Sequence, residues 1–125
     1  MKYLPKITYI VAKKHYRTIY SYLVVIMTHI IKWNSQPDKK SKSWEKSIDN
    51  SQTAIFKIKK KIPSISEEPI NEYWEKAFSE ATEKAEKEME QKSTVDSLTW
   101  EQVFQTKYVL TALAIIGLIV TGYLI

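Results

Sequence analysis

The chain has no cysteine, only two glycines and one arginine, and no acidic residue before Asp38. Each shortage closes off a class of function. Without cysteine there is no disulfide framework, no thiolate zinc or iron–sulfur ligation and no thiol nucleophile. Both glycines, Gly117 and Gly122, lie near the C-terminal end, so neither a phosphate-cradling P-loop nor a dinucleotide fingerprint can be written anywhere before them. Asn34, Asn50 and Asn71 are followed two positions on by Gln36, Gln52 and Tyr73, so no glycosylation sequon is present. The lysines come without arginines or interleaved aromatic readers, Arg17 being the only arginine, which argues against nucleic acid as a partner.

Catalytic and metal chemistry find little support either. His15 and His29 have no acid nearer in sequence than Asp38, a poor metal pattern, and His29 reads as a histidine at membrane headgroup level. The glutamates between Glu80 and Glu101 pair with lysines at helical spacing and read as a solvated face. No Ser-His-Asp grouping has local context. The expectation is a protein without catalytic residues, metal or cofactor.

What is present is strong patterning. The formal charge of +5 divides into a basic, acid-free first 37 residues, a lysine-rich stretch to residue 66, and an acidic stretch from 67 to 106. The eighteen residues from Tyr108 to Ile125 carry no charge; as a helix they would span ~27 Å, close to the ~30 Å of a bilayer core. Thr99 and Gln102 form a capping box, with Leu98 and Val103 as its hydrophobic staple, so a helix is predicted to start at Thr99 and run to Ile125. Trp100, Phe104 and Tyr108 on one face suggest an interfacial aromatic belt. Ala114, Gly117, Thr121 and Gly122 give this helix small residues suited to packing against another membrane helix.

Ile70, Tyr73, Trp74, Ala77, Phe78, Ala81, Ala85 and Met89 recur at i, i+3, i+4 and i+7, predicting an amphipathic helix over 70–92. Its acids come first and Lys92 last, as the helix dipole prefers. The narrow stripe, with Tyr73, Trp74, Ala77, Phe78 and Ala81 as its centre, reads as a docking face for a partner, since the rest of the chain offers little apolar surface to cover it.

Thr18 to Ile31 is an uncharged run of fourteen residues. Three readings stand for it: a short membrane helix, a basic mitochondrial targeting segment, or a helix lying at an interface. Asn34 to Asn50 reads as an exposed linker pinned by Trp44. Lys57, Lys59, Lys60 and Lys61, set among Ile55, Phe56, Ile58 and Ile62, suit anionic lipid such as cardiolipin, an ordinary solvated strand or loop being the alternative.

The sequence therefore predicts an all-α membrane protein without an independent globular core, in four parts: 1–33, 34–66, 67–98 and 99–125. Its expected role is that of a non-catalytic accessory subunit of a mitochondrial inner-membrane complex, respiratory chain or ATP synthase, hetero-oligomeric with other membrane-protein subunits. The alternative is a tail-anchored adaptor or assembly factor of the outer mitochondrial or endoplasmic-reticulum membrane.

Overall fold

An uncharged helical segment is stable in water only if it is covered on several sides, and the computed structural model shows what covers residues 18–31. The structure describes residues 4–63, 65 and 68–110, with side chains from 14–63, 65 and 70–110. Helix α1 (Leu4–Ser35) is 32 residues long and runs through the middle of the molecule. A short 3-10 turn, Pro37–Lys39, leads into α2 (Lys42–Lys61). A single helical turn, α3 (Glu68–Glu72), precedes α4 (Trp74–Met89). The described chain ends with a π-helical turn, Glu101–Gln105, and a stretch without regular secondary structure over 106–110.

Helices α2 and α4 both pack against α1. The returning segment 95–110 lies against all three and fills the remaining side of the core. Ile19, Leu23, Ile26, Met27, Ile30 and Ile31 of α1 are at most 1% exposed and form one apolar cluster with Ile48 and Ile55 of α2, Ala77, Ala81 and Ala85 of α4, and Leu98 and Val103 of the returning segment. Burying each large side chain is worth about 1.5–3 kcal/mol.

The expectation of a membrane protein is thereby corrected. The helical content stands, and no strand occurs among the described residues. However, no helix among them is long and apolar enough to cross a membrane. The reading of Thr18–Ile31 as a membrane helix fails for a physical reason: the run lacks charge because neighbouring elements of the same chain enclose it. The absence of an independent core is corrected by the same cluster.

The helix predicted from Thr99 to Ile125 also ends early. Its capping box forms as expected, with Gln102 N–H donating to Thr99 Oγ1 (3.1 Å) and Thr99 N–H to Gln102 Oε1 (2.8 Å). The helical turn then stops at Gln105, and Thr106 is extended (φ −79°, ψ 136°). Tertiary contacts over 106–110 compete successfully with helix propagation. Tyr108 sets its ring edge-on to Trp33 (5.9 Å) and donates its hydroxyl to the Gln102 carbonyl (2.7 Å). Leu110 N–H donates to the Glu45 carboxylate (3.0 Å). The aromatics read as a membrane belt are thus core and seam residues. Residues 111–125 lie outside the described residues, and with them the proposed packing positions Ala114, Gly117, Thr121 and Gly122.

A polar ladder fixes α4 parallel to α1. Tyr20 donates to Glu80 (2.5 Å), Lys32 pairs with Glu88 (2.8 Å), Gln36 donates to Gln91 (3.0 Å), and Thr94 N–H donates to the Ser35 hydroxyl (3.1 Å). A one-turn slip of either helix would break all of these rungs together. The helix predicted over 70–92 instead divides at Tyr73 and finishes at Met89, where Glu90 turns left-handed (φ 55°). Of the predicted i, i+4 ion pairs, Glu80–Lys84 is present at 3.8 Å, whereas Glu88 reaches across to Lys32.

Candidate functional site

Of the predicted docking face on α4, the structure leaves little free. Ala77 and Ala81 are fully buried. Their small side chains let α4 lie close against α1, which explains the narrow stripe: it fits a helix of the same chain. Tyr73 meets Tyr20 edge-on (6.0 Å), Phe78 is half-buried against the core, and Trp74 stacks on Trp100 (5.6 Å, 22°). The Trp74 indole N–H donates to the Leu98 carbonyl (2.8 Å). The expected partner-docking face is therefore corrected to an internal seam.

The lysine segment is neither strand nor loop but the last two turns of α2. Ser41 caps that helix by accepting from Trp44 N–H (3.2 Å), and Ile48, Ser51, Ile55, Ile58 and Ile62 follow its inner side. Lysines at 59–61 offset the negative end of the helix dipole. Lys57, Lys60 and Lys61 are exposed, while Lys59 is half-buried with its ammonium 5.5 Å from the Trp100 ring centre. Other lysines serve the fold in the same way: Lys32 lies over Trp44 (4.9 Å) and Lys40 over Trp33 (5.0 Å). The segment read as a linker, 34–50, is consequently a tight corner around Pro37–Lys39, clamped by cation–π contacts each worth roughly 0.5–1 kcal/mol at exposed sites, followed by the first half of α2.

Sequence reasoning groups Phe56 with Ile55, Ile58 and Ile62 and does not single it out. It sits on the outer side of α2 and is 68% exposed, the most exposed large apolar side chain among the described residues. Ile55, its neighbour, is buried, because adjacent residues on a helix point about 100° apart. The spacing of Ile48, Ile55 and Ile62 carried this signal once α2 is read as helical. Beside Phe56 is a shallow cleft of about 210 Å³ lined by Gln52, Ile55, Lys59, Trp100, Phe104 and Gln105. Gln52 forms its floor by donating to the Val103 carbonyl (2.6 Å). Phe56 thus stands one turn from Lys60 on the same side of α2, with Lys57 and Lys61 exposed further round the helix.

His29 is not placed against a membrane headgroup. Its Nδ1 lies 2.8 Å from the Val25 carbonyl on the same helix. Burial lowers its pKa, Val25 opposing that effect and nearby Lys32 adding to it. Among the described residues no group of three or more His, Cys, Asp or Glu could hold a metal ion.

A protein-family model described as a domain of unknown function, DUF29, matches residues 9–111. The chain belongs to this family. The DUF29 match takes in nearly all of α1, the corner, α2, α4 and the returning segment, and it ends four residues into the uncharged C-terminal run. No curated protein and no solved structure resembles the chain closely enough to count as a match.

Proposed function

We propose that the chain is a non-catalytic accessory subunit that works by surface contact, docking an acidic protein partner onto the outer face of α2. The observation that carries this reading is Phe56: the helix dipole accounts for lysines in the last turn of α2, whereas among the described residues no contact covers the phenyl ring, which is held 68% in solvent. One anchoring aromatic encircled by charged residues is the usual layout of an interaction hot spot with a polar rim. Burying the exposed part of the ring would contribute about 1–2 kcal/mol. The surrounding lysines would add modestly to affinity and more to association rate and choice of partner.

Anionic lipid is the competing occupant, and the magnitudes disfavour it. Lys59 is committed to Trp100, which leaves Lys57, Lys60 and Lys61 at ~1 kcal/mol each near a charged bilayer, together with a single ring. That sum resembles one acyl chain, which gives only marginal, reversible membrane binding.

The test is affinity purification of the tagged chain followed by quantitative mass spectrometry, comparing wild type with Phe56→Ala, Lys60→Glu and the control Lys46→Glu. A partner with an acidic surface should be retained by wild type and the control and lost from the other two, with helical content unchanged by circular dichroism. Retention by Phe56→Ala would sink the proposal. So would Phe56-dependent co-sedimentation with vesicles of anionic phospholipid.

A further inference from the structure

A second surface, on the opposite flank of α1, has the chemistry of a ligand site. Tyr16, Arg17, Tyr20 and Ser21 of α1, Tyr73 at the α3–α4 bend and Lys76 of α4 line a cleft of about 310 Å³. Its walls are three phenol rings. Its charged groups are the only guanidinium in the chain, that of Arg17, and the ammonium of Lys76. Both are exposed, Arg17 pairs with no carboxylate among the described residues, and the Lys76 ammonium stands 5.6 Å from the Tyr20 ring centre. We infer that this cleft binds a mononucleotide, the phosphate held between Arg17 and Lys76 and the base lying against the tyrosine rings.

Three physical arguments support the assignment. A guanidinium presents a planar fork of donors that matches a terminal phosphate, and a lysine supplies a second point charge beside it. Stacking on an aromatic face is worth ~1–3 kcal/mol per base and tolerates any base; Lys76 lies over the Tyr20 ring, so the base would lie against the Tyr73 or Tyr16 ring beside it. The volume lies at the small end of the range for ligand pockets, which suits one nucleotide and leaves no room for a dinucleotide.

The rings are held in place before any ligand arrives. Tyr73 braces Tyr20 edge-on at 6.0 Å, and the Tyr20 hydroxyl donates to Glu80 at 2.5 Å. Burial, with Glu80 second, pushes the Tyr20 pKa up to about 12, so the phenol stays neutral and adds no charge against a phosphate. Glu80, the carboxylate in contact with Tyr20, is engaged by both Tyr20 and Lys84. The Ser21 hydroxyl donates to the Arg17 carbonyl (3.1 Å), so its proton is committed within α1 and recognition is left to the side chains of Arg17 and Lys76.

The cleft is independent of the α2 face, so either proposal can fail alone. The experiment is calorimetric titration of the full chain with AMP, adenosine and inorganic phosphate, accompanied by NMR shift mapping. AMP should bind saturably and shift residues 16–21 and 73–76. Adenosine and phosphate should each bind at least about tenfold more weakly, since each forfeits one of the two contacts. Arg17→Ala and Lys76→Ala replace exposed side chains and should fold normally, each weakening AMP by about tenfold, the loss of one charge-assisted contact. The inference is overturned if AMP shows no saturable binding in the millimolar range, if Arg17→Ala binds it as tightly as wild type, or if phosphate alone binds as well as AMP.

Discussion

Trp74 joins α4 to the returning segment, and replacing it measures how much that segment contributes to the fold. Trp74→Phe keeps most of the ring but deletes the indole N–H that donates to the Leu98 carbonyl at 2.8 Å. Leu98 is only 4% exposed, so its carbonyl would be left wholly or partly unsatisfied, at about 1–3 kcal/mol. The stack on Trp100 (5.6 Å) and the tilted contact with Phe104 (6.1 Å) would weaken, adding about 0.5–1 kcal/mol. The expected loss is therefore about 2–3 kcal/mol for Trp74→Phe and about 3–5 kcal/mol for Trp74→Ala, a large part of the 5–15 kcal/mol that holds a typical domain folded. Urea unfolding followed by far-UV circular dichroism gives these values directly. Hydrogen exchange supplies the local readout: amides of residues 99–105 should lose protection before those of α1. A loss below about 0.5 kcal/mol for Trp74→Phe, with exchange over 99–105 unchanged, would refute the idea that this segment is an integral wedge of the core.

Two further outcomes follow from particular residues. Glu90 occupies a left-handed position (φ 55°) at the end of α4, where a side chain is costly, so Glu90→Gly should raise stability by about 0.5–1 kcal/mol in the same urea assay. Tyr20 has its pKa raised from 10 to about 12 in the folded state, so the unfolded chain loses that proton first. Its contribution is complete below pH 10 and is lost as pH rises toward 12; the stability of Tyr20→Phe, measured by denaturation across that range, should fall less steeply than that of wild type.

The sequence was legible wherever structure is decided by neighbours along the chain. The capping box at Thr99 and Gln102 formed as predicted, because both partners lie within one turn. The apolar stripe from Ile70 to Met89 produced helix with its alanines inward, because period 3.6 is a local property. The same stripe could not say what would cover it, since an apolar face is satisfied equally by a partner, a bilayer or another part of the chain. Phe56 was hidden for a related reason: its side of the helix became meaningful only when α2 was known to pack on α1 through Ile48 and Ile55.

By itself, then, the sequence determined a helical chain with segregated charge, an apolar run over residues 18–31 and an acidic amphipathic helix after it. Tertiary structure alone decided that the apolar run is a core and not a membrane segment, because hydrophobic burial is non-directional and any apolar surroundings satisfy it. It also decided where the C-terminal helix stops, since contacts of Tyr108 with Trp33 and of Leu110 with Glu45 reach across 65 or more positions of sequence that no local pattern records.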